Sequence, residues 1–256
     1  MCGEVMDTAS LGLSDSDVPA SSSVQDERPV ARSPAPPRYL LDHYWWAYVH
    51  PRALAVFERQ WLVNAILWGN YAKLRDTALD ELGQALPGRT LQIACAYGDF
   101  SPRLHERVAR GGGALDVIDA LPIQLANLRT KMANAQNVDL QCMDSAQMTY
   151  ADASFDRAIL FFLLHEQPDE TRRRTISEAL RVVRPGGRIV IVDYALPARG
   201  HPLRYLMRPV LAYLEPFALD LWREDITTWF PSPRSAQVQD ARRLFGGLYQ
   251  MVTVTC

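Results

Sequence analysis

Apolar positions along the chain follow two regimes. From about Tyr39 to Leu82 they recur at helical spacing. Leu54, Phe57, Trp61, Ala65 and Trp68 return every three or four residues, which predicts a core-facing stripe, broken by Pro51 and Gly69. Beyond it, short apolar runs alternate with amphipathic ones. Strands are predicted near Thr90–Ala94, Ala114–Ile118, Val138–Cys142, Arg157–Leu163 and Arg188–Val192, with helices over roughly Pro102–Ala109, Pro122–Ala133 and Asp169–Val183 between them. Strand and helix in alternation imply an α/β fold, a parallel sheet with helices on both faces.

Punctuation refines this outline. Ser101-Pro102 reads as a helix start, because Ser caps and Pro suits the first turn. Pro185-Gly186-Gly187 reads as the turn that closes a helix and launches the next strand. Pro202 to Trp222 is a long amphipathic insertion within a helical lid over 201–230. Leu248–Thr255, rich in β-branched residues, reads as a terminal hairpin strand. The first 38 residues are rich in Ser, Pro, Asp and Glu and lack a run of apolar residues, which predicts a disordered tail ahead of one domain over 39–256, whose helical N-terminal part covers 39–82.

Composition narrows the function classes. With 27 basic and 29 acidic residues the net charge is −2, which gives no support for nucleic-acid binding. Cys2, Cys95, Cys142 and Cys256 are scattered without a CxxC spacing, so a reduced, cytoplasmic setting fits better than a disulfide scaffold or a structural zinc site. The uncharged run from Gln60 to Ala72 is far short of the roughly 20 residues that a spanning helix needs.

Candidate chemistry gathers at the strand ends, where doubly wound sheets bind ligands. Leu91 to Asp99 resembles a nucleotide-binding glycine loop in which only Gly98 survives, with Ala94 and Ala96 where a ligand would approach the backbone. Asp119 lies about twenty residues beyond the loop, as an acceptor for ribose hydroxyls would. Asp144, in Met143-Asp144-Ser145, is placed to receive an adenine amino group. His165, Glu166 and Asp193 end the next two strands. They admit three readings: a Mn²⁺ or Mg²⁺ site, a hydrogen-bonded His–carboxylate pair that shapes the cleft, or a general base at His165. Tyr44-Trp45-Trp46-Ala47-Tyr48 and the Leu203–Leu211 run admit membrane-surface or plain packing roles.

The order of these signals is similar to that of the class I S-adenosylmethionine (SAM)-dependent methyltransferases over roughly Tyr71 to Cys256. More narrowly, the chain resembles the rhodoquinone biosynthesis proteins. That resemblance is carried by Tyr44–Pro51, Phe57-Glu58-Arg59-Gln60-Trp61, Trp68-Gly69-Asn70-Tyr71, Tyr97-Gly98-Asp99, Phe161–Glu166 and His201–Asp220. It implies a Rossmann-like, mostly parallel seven-stranded sheet with N-terminal helices and a helical lid. It also implies conversion of ubiquinone to rhodoquinone, a methoxy group giving way to an amino group, with SAM as amino donor and Mn²⁺ as the metal.

On that basis SAM is expected to contact Ala94, Tyr97, Gly98, Asp119, Asp144, Ser145 and Phe162. His165, Glu166 and Asp99 are the expected catalytic residues, and Glu166, Asp193 and His165 the expected metal ligands. An apolar quinone tail implies peripheral contact with the inner face of a bacterial inner membrane, through Trp45, Trp46 and the Leu203–Leu211 lid. The alternatives are a conventional SAM-dependent quinone methyltransferase and a non-catalytic SAM- or lipid-binding module.

Overall fold

The computed structural model describes residues 35–44, 56–231 and 237–256. The expected tail lies outside them up to residue 34, as do Trp45, Trp46 and Leu54. Helices α1 (Arg38–His43), α2 (Gln60–Ile66) and α3 (Tyr71–Leu82) precede the sheet. There follow β1 (Arg89–Ile93), α4 (Phe100–Arg110), β2 (Ala114–Asp119), α5 (Pro122–Lys131), β3 (Val138–Cys142), β4 (Phe155–Phe161), α6 (Asp169–Val182) and β5 (Val183–Tyr194). The lid helix α7 (Leu203–Leu214) and a hairpin of β6 (Gln237–Leu244) and β7 (Tyr249–Thr255) complete the described elements.

The strand order is β3-β2-β1-β4-β5-β7-β6, parallel from β3 to β5 and antiparallel at β7 and β6. Alternation along each central strand feeds two cores. Leu91 and Ile93 of β1, with Ala158 and Leu160 of β4, pack on one face with Ile176 of α6. Ile159 and Phe161 pack on the other with Leu74 of α3 and Phe100 and Leu104 of α4. Apolar residues on both faces are what a buried parallel strand requires, which is why these segments read as strands.

Three expectations need correction, and one strand was not anticipated. Trp61 and Trp68 are 64% and 39% exposed, and Ala65 is exposed as well, whereas Val63 and Leu67 are buried. The seven-residue α2 offers the core only this i, i+4 pair, and the Tyr249 hydroxyl fixes its end by donating to the Leu67 carbonyl at 2.9 Å. Ser101 does not cap α4, which starts one residue earlier; its buried hydroxyl has no hydrogen-bond partner among the described residues. Pro185-Gly186-Gly187 lies inside β5 as a bulge, where pairing jumps from Phe155↔Val183 to Arg157↔Arg188. Gly186 takes φ +75° there and donates to the Cys256 carbonyl at 2.7 Å. Strand β6 gave no apolar alternation because it is an edge strand carrying Asp240, Arg242 and Arg243, charges that blunt an open edge.

Among the described residues no helix is long and apolar enough to cross a membrane. Helix α7 buries Met207 and Leu211 and exposes Tyr205, Leu206, Val210 and Tyr213.

Candidate active site

The carboxyl ends of β1, β2, β3 and β4 converge where the strand order reverses, between β1 and β4. They frame an open cavity lined by Ala94, Tyr97, Asp119, Asp144, Ser145 and Phe162 among others. The structure thus brings together six of the seven residues expected to contact SAM. Tyr39 and Leu40 of α1, Cys95 and Gln124 also line it.

Asp119 ties β2 to the loop after β1. One carboxylate oxygen accepts the Cys95 N–H and the other the Leu121 N–H, each at 2.8 Å. Burial pushes its pKa up to about 6, against the pull of these two donors. Each oxygen keeps a second lone pair for a ligand hydroxyl. Asp144 accepts the Ala146 N–H at 2.9 Å and so holds the turn after β3. The Ser145 hydroxyl is committed inward, 2.9 Å from Thr175 Oγ1 and accepting from Gln167 Nε2 at 3.0 Å.

Ala94 carries a left-handed backbone, φ +73°, a conformation that normally selects glycine. The glycine-loop path is therefore kept while a methyl group is added to the cavity wall. Gln92 supports the strained residue by donating to the Ala94 carbonyl at 2.9 Å. Phe162 is held similarly at φ +57°, its N–H donating to the Val192 carbonyl at 2.8 Å.

Gly98 and Asp99 stand apart from the other expected site residues. Neither lines a cavity at the strand ends. Gly98 donates to Glu58 Oε2 at 3.3 Å, and its carbonyl accepts from Lys131 Nζ at 2.9 Å. A Cβ at Gly98 would stand 2.6 Å from the Tyr71 hydroxyl, so the surviving glycine makes room for Tyr71. Glu58 in turn pairs with Lys131 at 2.9 Å, so an internal carboxylate occupies the loop N–H. Asp99 accepts from Arg75 Nη1 at 2.7 Å and from Tyr71 at 3.1 Å. Burial would raise its pKa, but Arg75 and Tyr71 outweigh this and hold it below the usual carboxylate range. A carboxylate so stabilised is a poor base, and Asp99 serves as an anchor.

A second cavity opens beside the first, lined by Phe57, Val63, Ile66, Leu67, Tyr71, Ala96, Phe161, His165, Tyr194 and Glu215. Cys95, Tyr97, Phe162 and Glu166 line both cavities. Its walls are aromatic and its polar groups few, as suits a planar, largely apolar ligand.

His165 stands on a 3₁₀ turn, Leu164–Glu166, packed on the end of β5. Its Nδ1 is 3.0 Å from Asp193 Oδ1, while Asp193 Oδ2 accepts the N–H groups of Leu164 and His165 at 2.8 and 3.2 Å. The Tyr194 N–H donates to Oδ1 at 2.7 Å. Burial lowers the proton affinity of His165, but the Asp193 charge and hydrogen bond, with Glu215 and Glu166, outweigh it and raise the pKa to about 9. His165 is thus an imidazolium at neutral pH, with Nε2 3.7 Å from Glu166 Oε1.

This arrangement does not fit the expected metal site. Asp193 is fully buried and both its oxygens are consumed by four protein donors, so it cannot join His165 and Glu166 around an ion. Among the described residues no group of three His, Cys, Asp or Glu side chains is placed to hold a metal. The hydrogen-bonded His–carboxylate pair is what the structure forms.

The geometry agrees with relationships visible in the sequence. Residues 90–187 match a family model described as a methyltransferase domain. The demethylmenaquinone methyltransferase of Renibacterium salmoninarum is 31% identical over 185 residues, covering 68% of this chain and 73% of that protein. The chain belongs to the class I SAM-dependent methyltransferases. The demethylmenaquinone methyltransferase of Thermus thermophilus is 26% identical over 203 residues, covering 75% of this chain and 90% of that one. Among solved structures, N-methyltransferase NodS from Bradyrhizobium japonicum in complex with S-adenosyl-L-homocysteine covers 80% of the chain, and the match covers 96% of NodS. The TM-score is 0.55 at 13% identity, a likeness of fold.

As a methyltransferase, the chain departs from its glycine-loop pattern at Ala94 and Ala96. Tyr39, Tyr71, Arg75, Lys131 and Glu215 were not anticipated at the site. Their signal was weak because they reach it from distant elements: Tyr39 from α1, Tyr71 and Arg75 from α3, Lys131 from α5 and Glu215 from the end of the lid helix. Glu58 lay within a run that carried the resemblance, but nothing local showed that it would meet Gly98.

Proposed function

We propose that the chain uses SAM to modify a quinone ring, and specifically that it replaces a methoxy group of ubiquinone by an amino group taken from SAM. Ala94 carries this reading: a side chain on a glycine-type backbone in the cofactor cavity changes how the methionine half of SAM can lie. Methyl transfer needs the sulfonium methyl in line with its acceptor at roughly 3–3.5 Å. Crowding by Ala94 and Ala96 disfavours that line and turns the amino group toward the second cavity. The names of the demethylmenaquinone methyltransferases support a quinone as substrate.

In this reading Asp119 holds the ribose hydroxyls and Asp144 the adenine amino group, with Ala94, Tyr97, Ser145 and Phe162 around them. The imidazolium of His165 donates to a ring oxygen and draws electrons from the methoxy-bearing carbon. The SAM nitrogen bonds to that carbon, the carbon–methoxy bond breaks, and methoxide leaves with the amine proton as methanol. Loss of the proton on the SAM α-carbon then passes an electron pair through that nitrogen into the quinone ring. Hydrolysis of the resulting C=N bond by water releases the amino-substituted ring as its hydroquinone, together with the α-keto acid of SAM, and air returns the hydroquinone to the quinone. Glu166, facing both cavities, is the group placed to take the amine proton. The donor set described above does not make a three-residue Mn²⁺ site.

Mass spectrometry of products from purified protein, SAM and a short-tailed ubiquinone, with and without Mn²⁺, tests the reading. An aminoquinone is expected. Conventional methylation, which the relatives' names favour, would instead give a methylated product from a demethylated quinone and none from ubiquinone.

An isoprenoid-tailed substrate resides in a bilayer, and the second cavity is bordered by apolar surface. Helix α2 lines it with Val63, Ile66 and Leu67 and exposes Trp61, while α7 ends in it at Glu215 and exposes Tyr205 and Tyr213 at 70% and 87%. Such aromatic and aliphatic exposure supports an interfacial contact in this reading. The double substitution Tyr205→Glu and Tyr213→Glu is expected to lower co-sedimentation with phospholipid vesicles about tenfold. It leaves turnover of the short-tailed quinone unchanged; unaltered vesicle binding would contradict the contact.

A further inference from the structure

The lid helix carries charge as well as apolar surface. Arg204 and Arg208, one turn apart on α7, line a third cavity with Tyr205, and the turn Asp220–Arg223 adds Trp222 and Arg223. This cavity shares no lining residue with the two at the strand ends, and among the described residues no carboxylate lines it. Arg204 is braced by donating from Nη1 to the Pro197 carbonyl at 2.7 Å, which spends one of its five N–H donors. Arg208 makes no hydrogen bond or ion pair among the described residues. The contact of Arg223 with Asp220, at 3.2 Å, involves a side chain that is 73% exposed, a pair of little strength. Three permanently charged guanidiniums thus border one recess without a counter-charge on its wall. Their mutual repulsion is relieved by an anion placed among them.

We infer that this recess, bordered by Arg204, Arg208 and Arg223, binds the phosphate of an anionic phospholipid headgroup. The inference rests on the membrane contact proposed above, to which it adds a ligand and three residues, and holds whichever reaction the quinone undergoes. Guanidinium groups suit a phosphate because their paired N–H donors match its oxygens. A lipid is favoured over a soluble phosphate by what surrounds the recess. Leu206, Val210 and Tyr213 of the same helix are 52%, 42% and 87% exposed, and α7 contains two arginines and no acidic residue. Apolar exposure flanked by arginines is the pattern of a helix that lies in a membrane interface. A choline headgroup would bring a cation to the same wall, so a headgroup of net negative charge is preferred. The chain as a whole, at net charge −2, has no general attraction to an anionic surface, which leaves the attraction to a local cluster. A headgroup held there fixes α7 on the bilayer, and α7 ends at the second cavity.

Co-sedimentation of the full chain with vesicles of phosphatidylglycerol or of phosphatidylcholine, at about 0.1 M salt, tests the site. The unsubstituted protein is expected to bind the phosphatidylglycerol vesicles about tenfold or more tightly than the phosphatidylcholine ones. Arg208→Gln with Arg223→Gln is expected to lower binding to phosphatidylglycerol about tenfold or more, as two basic side chains at an anionic surface would. A control of equal charge change, Arg129→Gln with Arg174→Gln on the exposed faces of α5 and α6, is expected to stay within about twofold. Thermal melting and S-adenosylhomocysteine affinity confirm that both double variants are folded. Equal losses in the two double variants would mean diffuse attraction and overturn the site. Equal binding of the unsubstituted protein to both vesicles would overturn the headgroup site and leave the apolar contact standing, whereas binding to neither would overturn both. Calorimetric titration with inorganic phosphate separates the two sources of the ligand. No saturable binding is expected below about 1 mM, and micromolar binding that the Arg208, Arg223 pair abolishes would assign the recess to a soluble phosphate and overturn the lipid.

Discussion

Replacing His165 by Gln lowers quinone turnover by a factor of about 10² or more, while S-adenosylhomocysteine affinity stays within about twofold. Gln still offers a donor to Asp193 Oδ1, so the buried carboxylate keeps its partners, but the proton that polarises the ring oxygen is gone. Two pH signatures accompany the loss. Turnover by the unsubstituted protein falls as pH rises through about 9, where the imidazolium is deprotonated, and the Gln variant lacks that limb.

Stability follows the same proton. The ordinary value of 6.5 rises to about 9 on folding, so the native state retains a proton that the unfolded chain releases in that interval. The contribution is complete below about 6.5 and is lost as pH rises through about 9, about 3 kcal/mol in all. Denaturant melts at pH 6, 8 and 10 check it. A variant with unaltered turnover and the same pH slope would show that the pair only shapes the cleft.

Arg172→Ala is expected to be the most destabilising single change near the site. The guanidinium is fully buried and donates to the carbonyls of Leu164 and Gln167 at 2.9 Å and of Phe217 at 3.1 Å. It also lies 4.5 Å from the ring centroid of Trp229. Truncation removes the donor of the Gln167 carbonyl at a cost of about 1–3 kcal/mol, leaves the Leu164 and Phe217 carbonyls with only the backbone N–H groups of Gln167 and Asp220, and opens a cavity. A loss of about 3 kcal/mol or more follows, which for a chain of this size lowers the melting temperature by about 10 °C. Arg172 also joins the turn that carries His165 to the segment after the lid helix. Quinone turnover of the variant therefore falls even below its melting temperature. A shift of less than about 2 °C would contradict the bracing role.

The sheet was legible in the sequence because its central strands are buried on both faces and read as apolar runs. Asp119 and Asp144 were legible as well, since strand ends at a reversal of order are where side chains from distant segments meet. Edge strand β6 was not, because its charges answer the open edge and leave no alternation. The stripe through Trp61, Ala65 and Trp68 pointed the wrong way: helical periodicity identifies a face without saying whether protein or something else covers it. Gly98 and Asp99 drew attention for their place in a loop, yet Tyr71, Arg75, Glu58 and Lys131 claim them, and those pairings span 24 to 40 residues of sequence. Glu215 reaches the second cavity for the same reason, since its place depends on where α7 ends. Local spacing carries the scaffold, while long-range contacts decide which polar residues face the ligand.

The fate of the SAM nitrogen tests the central claim most directly. Purified protein is incubated with a short-tailed ubiquinone and SAM labelled with ¹⁵N in its amino group, with and without Mn²⁺, and the quinone product is weighed by mass spectrometry. The account predicts an aminoquinone that carries the ¹⁵N label. An unlabelled aminoquinone, or a ring that gains only a methyl group, would contradict it.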